Sequence, residues 1–143
     1  MEVLTVGLPF CVFKFAAGGV LLGDGGFRAG LGSVLLALGA VDALFNLINL
    51  GSLLASRRRV LDACVLSVAA HRLWPAARKE SWVLRDLGNS LDVFLSFTLV
   101  AYMIGAGRLV DLPPRVLGCW SVAVVFNVLG AGLGRLAESL RRL

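Results

Sequence analysis

The sequence predicts an all-α fold: a polytopic membrane helix bundle of about four transmembrane helices, with one interfacial amphipathic helix in the 54–86 loop. Three observations predict it. Of 143 residues, 58% are hydrophobic and 16% charged, against roughly 45–50% and about 25% in soluble domains. Mean hydropathy is +0.86. Apolar stretches recur near the ~20 residues that cross a hydrocarbon core of about 30 Å, and basic residues crowd beside them on one side. A soluble enzyme, a disordered tail and a coiled coil are excluded, and the chain reads as a single integral membrane domain over 1–143.

The first span is expected over about 3–22, the weakest of the four because it contains Pro9 and Lys14. Its start lacks the basic region of a signal peptide, so it reads as retained, and as a span rather than one arm of a re-entrant hairpin. The second runs over about 30–53, the third over 87–107 and the fourth over 116–133. Runs such as Val34-Leu35-Leu36-Ala37-Leu38 are apolar all round, as lipid-embedded helices are. The turns Gly23-Asp24-Gly25-Gly26 and Asp111-Leu112-Pro113-Pro114 suit tight connections. Between the second and third spans, residues 60–73 form an apolar-rich stretch too short to cross, with Leu61, Cys64, Val65 and Val68 on one face. It reads as a helix on the inner leaflet. Trp82 and Trp120, near segment ends, read as interfacial anchors.

Charge sets the orientation. Arg57, Arg58, Arg59, Arg72, Arg78, Lys79, Arg85 and the tail residues Arg135, Arg141 and Arg142 oppose only Arg28, Arg108 and Arg115. Both termini and the long loop are therefore expected in the cytoplasm of a bacterial-type inner (plasma) membrane. Arg57, Arg58 and Arg59 form an inner-leaflet basic cluster facing anionic lipids, so the net charge of +5 implies no nucleic acid.

Polar residues inside the spans carry the most information. Asp42, Asn46 and Asn49 share one helix stripe, and Asn89, Asp92 and Ser96 share another. A charge near the bilayer centre costs roughly 2.5–3.5 kcal/mol on insertion scales, so such groups face the bundle interior with partners. Counted from the inner boundary, Lys14 and Asp42 both lie about eleven or twelve residues deep, which predicts an intramembrane ion pair. Asn46, Asn49, Asn89, Asp92, Ser96 and Asn127 are expected to form a polar pocket nearer the inner face, with Asp92 as its unpaired acid. Interhelical hydrogen bonding is one role for this set; a cation, proton or head-group site is the other. Ala43-Leu44-Phe45-Asn46-Leu47 and Val124-Val125-Phe126-Asn127-Val128 hint at an internal repeat.

Glycine is abundant, 17 residues in all. Gly26 and Gly30, and Gly130, Gly132 and Gly134, have the small-residue spacing that lets helices approach closely. The dispersed Cys11, Cys64 and Cys119 read as buried small hydrophobes. The single His71 excludes bis-histidine haem or a multi-histidine metal centre within one chain, and no nucleotide-binding, zinc-protease or serine-nucleophile motif is present. No enzyme, cofactor or metal is expected. The function expected first is a non-catalytic accessory or scaffold subunit, its partners other membrane subunits or copies of itself. The alternative is a homo-oligomeric ion or proton channel or transporter using Lys14, Asp42 and Asp92. A lipid-binding role for the basic loop ranks below both.

Overall fold

The computed structural model describes residues 3–56, 60–61, 64–73 and 81–141, and all regular structure among them is helical. A π-helical turn over Val3–Gly7 leads into α1 (Leu8–Gly23). Then come α2 (Gly26–Ser56), a short α3 (Val65–Leu73), α4 (Ser81–Gly105), a 3-10 turn at Arg108–Asp111 and α5 (Pro114–Arg141). Three stretches are long and apolar enough to cross a membrane: Val3–Gly23, Gly26–Ser56 and Asp86–Gly105. The fourth expected span is a shorter apolar helix, Pro114–Gly130, continued to Arg141 by a more polar extension.

The segment that looked weakest is the centre of the bundle. α1 packs against α2, α4 and α5, and buries Phe10, Phe13, Lys14, Ala16, Ala17 and Val20. Its partner α2 turns inward Gly32, Leu35, Gly39, Asp42, Asn46 and Asn49. That stripe alternates steps of three and four residues, the seam of an antiparallel left-handed pair. Bare backbone sets how closely the two helices approach. A Cβ on Gly32 would lie 2.6 Å from both the Gly18 carbonyl oxygen and the Leu22 nitrogen.

Polar and apolar contacts segregate along the seam. Toward the 23–26 turn the core is apolar, built around Phe13, Leu35, Leu99, Met103 and Trp120. The Phe13 and Trp120 rings lie 4.8 Å apart. Trp120 is therefore a core residue, 3% exposed, and not an interfacial anchor. The turn itself needs glycine, since Gly25 and Gly26 take φ of 75° and 55°. Arg108 ties this end together by bridging Asp24 and Asp111, while Arg28 reaches Asp24 at 3.3 Å.

The glycine expectations need correction. Around Gly26, Gly30 and Gly132 an added Cβ would meet nothing within 4 Å. These residues point away from the bundle, and Gly26 serves the turn. Of the expected set Gly130 does pack closely, against the Thr5 side chain, and close approach falls otherwise to Gly7, Gly18, Gly32, Gly39 and Gly88. Spacing of four does not say which face of a helix meets a neighbour. Gly134 lies in α5, but its surroundings are outside the described residues, as are Arg57, Arg58 and Arg59.

α3 is shorter than the expected 60–73 helix and sits elsewhere. The backbone amides of Val60 and Leu61 donate to the Asn49 side-chain oxygen at 3.2 and 2.9 Å, which keeps these residues out of the helix. Helix begins at Val65, whose amide donates to Asp42 Oδ1 at 2.7 Å. Asp42 lies about 21 Å back along α2 from Ser56, at 1.5 Å per residue. The chain therefore returns along α2, and the first turn of α3 is inserted between α2 and α4 instead of lying free on a surface. Gly88 permits this, because a side chain there would run into the Ser67 backbone.

Candidate functional site

Lys14 stands at the centre of the polar half. Its ammonium contacts Asp42 Oδ2 of α2 at 2.5 Å and Asp92 Oδ1 of α4. All three residues are buried, at 1%, 2% and 8% exposure. Asp92 is thus not the unpaired acid of a separate pocket; it is the second counter-ion of Lys14. The misplacement has a simple origin. The longest apolar run begins near Leu87, which sets the expected start of the third span, but α4 starts at Ser81, six residues earlier. Asp92 lies eleven residues into α4, about as deep as Lys14 lies in the first span.

The two carboxylates are not equivalent. Asp42 is saturated, with the Val65 amide on one oxygen and Lys14 on the other. The Val65 amide opens α3, so the partial positive charge of a helix N-terminus also faces Asp42. Among the described residues Asp92 has a single hydrogen-bond partner, Lys14. Asp92 is one of the residues lining a cavity of about 70 Å³, where Asn46, Asn49, Asn89 and Cys64 stand among the apolar Val3, Val6, Phe10 and Val93. A space of that size with several polar partners can hold water.

The asparagines divide their work. Asn49 grips the 60–61 backbone through three hydrogen bonds, the third being Nδ2 to the Leu61 carbonyl at 3.0 Å. Asn46 donates to its own helix at the Asp42 carbonyl, 2.8 Å away, and packs against Gly7. Asn89 accepts from Cys64 Sγ at 3.7 Å. Two expected members do not line the cavity. Ser96 lies one turn farther along α4, fully buried, and its hydroxyl has no hydrogen-bond partner among the described residues. Ser33, Ser56, Ser90 and Ser121 all donate to the carbonyl four residues before them.

Asn127 does a different job. Pro9 has no amide hydrogen to offer the Thr5 carbonyl, four residues earlier. Asn127 Nδ2 of α5 supplies one at 3.2 Å. The two similar segments around Asn46 and Asn127 therefore flank the same π-helical turn, one against Gly7 and one against Thr5.

Sequence reasoning missed three participants: Val65, whose contribution is a backbone amide; Cys64; and Gly88, which admits α3. Cys11 and Cys64 are buried, whereas Cys119 is exposed on α5. No group of three or more histidine, cysteine or acidic side chains able to hold a metal occurs among the described residues. Comparison with protein-family models, with curated proteins and with solved structures finds no match to this chain.

Proposed function

We propose that the protein is a small membrane channel or transporter that handles protons, with the Lys14–Asp42–Asp92 triad as its working part. One observation carries the reading: a buried lysine is shared by two carboxylates, and one of those residues, Asp92, lines a small cavity that also holds three asparagines. Fully ionised, the triad has one excess negative charge, an expensive arrangement inside a bilayer if its only task were to hold helices together. Asp42, fixed by Lys14 and the α3 amide, serves as the permanent counter-ion. Asp92, on the cavity wall, is the group that exchanges. A proton reaching Asp92 brings the triad to neutrality and leaves Lys14 held chiefly by Asp42. Movement of Lys14 between its two partners is then the elementary step that opens or closes the path. On the positive-inside distribution, the end of the bundle bearing residues 3, 56 and 81 faces the cytoplasm of a bacterial-type inner membrane.

The test is proton flux in proteoliposomes containing a trapped pH-sensitive dye. The wild type should dissipate an imposed pH gradient, and Asp92→Asn should abolish this while eluting at the wild-type position in size-exclusion chromatography. Flux that survives Asp92→Asn at the wild-type rate would overturn the reading. The accessory-subunit role has its own supporting observation: Gly30, Gly51, Gly118 and Gly132 leave open space on the outer surface of the bundle, where a neighbouring helix could approach closely. The native mass after extraction in mild detergent separates the two. Stoichiometric foreign subunits favour the accessory role.

A further inference from the structure

A second feature lies on the other side of the first helix. Where the early part of the chain passes α5, an apolar groove of about 610 Å³ opens on the outer surface of the bundle. Leu8 and Val12 form one wall, Gly118, Val122 and Phe126 the other. That volume lies within the roughly 300–1,000 Å³ of small-molecule sites. Arg115 is the only charged side chain on its lining, and it lies at the end nearest the Leu112–Pro114 turn. It has no ion-pair partner among the described residues, unlike neighbouring Arg108, which holds two aspartates.

We infer that this groove is a binding site for one anionic glycerophospholipid, its phosphate at Arg115 and one acyl chain laid along α5 toward Phe126. Length, polarity and charge all fit that occupant. From Arg115 to Phe126 the helix rises about 16 Å, close to half of a hydrocarbon core of about 30 Å, the reach of one monolayer's chains. The wall beyond Arg115 offers no charge and no strong hydrogen-bonding group, which suits hydrocarbon and nothing polar. At the mouth, an exposed arginine can lay its stem along apolar surface and extend its guanidinium to a head group. The amides of Arg115 and Val116, in the first turn of α5, have no acceptor within the helix and add to the positive end. A second copy's transmembrane helix fits less well, since it would need contact along a full span, about twice the groove's length.

The test is native mass spectrometry of the purified protein in mild detergent, titrated separately with phosphatidylglycerol and phosphatidylcholine. The wild type should take up one lipid saturably, with phosphatidylglycerol about fivefold tighter, the worth of one arginine beside an anionic head group. Arg115→Gln should erase that preference. Gly118→Leu should abolish the saturable event. Its added Cβ meets nothing within 4 Å inside the protein, so the fold tolerates it while the groove fills. Val122→Trp, on an exposed position of the same wall, provides an independent block should Gly118→Leu express poorly. Three results would each overturn the inference: unsaturable uptake of both lipids, uptake unchanged by both groove variants, or a dimer that dissociates when the groove is filled.

Discussion

Removing the Lys14 ammonium should be the most damaging single change in this protein, and its cost follows from charge arithmetic. In Lys14→Met two buried carboxylates lose the only cation that contacts them among the described residues. Breaking a buried pair by deleting one partner costs about 3–5 kcal/mol. The penalty has a ceiling, because an intolerable carboxylate can take up a proton. At pH 7 that uptake costs about 4 kcal/mol for an aspartate of ordinary acidity. One stranded acid therefore costs up to about 4 kcal/mol and two up to about 8, comparable with the whole stability of many domains. Asp92→Asn leaves a neutral Lys14–Asp42 pair still bound to the Val65 amide, and should fall within about 1 kcal/mol of wild type. Asp42→Asn lies between, since it weakens a charge-assisted bond to α3 worth about 1.5–3 kcal/mol. Two acids share the lysine, so Lys14→Met with Asp42→Asn still strands Asp92 and should not outlast Asp42→Asn alone. Recovery requires the triple variant. The assay is the fraction of monodisperse protein surviving a heat step in detergent, read by size-exclusion chromatography. A Lys14→Met protein as heat-resistant as wild type, or a triple variant no better than Lys14→Met, would refute the reasoning.

Three further outcomes follow from other contacts. Gly32→Ala should destabilise by about 1–3 kcal/mol through overpacking, since its Cβ meets backbone atoms at 2.6 Å. Gly132→Ala, with open space around it, should be neutral or stabilising by up to about 1 kcal/mol; detergent unfolding curves compare the two. Asn127→Leu should cost about 0.5–1.5 kcal/mol by removing the Asn127–Thr5 hydrogen bond. In a Pro9→Ala background, which restores the helical amide, the same change should cost less, and a double-mutant cycle that shows no coupling would contradict the assignment. At the far end of the bundle, loss of water around Asp24 raises its carboxyl, but hydrogen bonds and charge from Arg108 and then Arg28 outweigh this and hold it below its ordinary 3.8. A depressed acid stabilises the fold above its ordinary value, and that contribution is lost as pH falls through the lower folded value. Wild type should therefore lose heat resistance on acidification below about pH 4, and Asp24→Asn should remove that step.

Much of the architecture was legible because the bilayer imposes simple arithmetic. Apolar length located the helices, and the cost of bare charge in hydrocarbon forced Lys14 and Asp42 inward, whatever the rest of the fold did. The stripe Asp42, Asn46, Asn49 was readable for the same reason, since a helix can hide polar groups only on one face. Where α4 begins was not readable, because Arg85 and Asp86 break the apolar run while the helix continues back through them to Ser81. Hydropathy locates lipid and not helix, and that offset hid Asp92 from Lys14. The glycines failed for a related reason: Gly132 and Gly130 are two residues apart, yet one faces open space and the other Thr5. Only helix rotation within the packed bundle decides which.

The sequence by itself determined that this chain is a helical membrane bundle with an internal ion pair, because hydrophobic length and charge burial are properties of each segment alone. Tertiary structure decided that two acids share one lysine, that α3 opens against Asp42, and that Asn127 of α5 donates to the Thr5 carbonyl. Each of those depends on the register and rotation of one helix against another. Register and rotation are fixed where backbones meet at Gly18 and Gly32 and at Gly88 and Ser67, and where the Thr5 side chain meets Gly130, by steric fit that no periodicity in a single helix encodes.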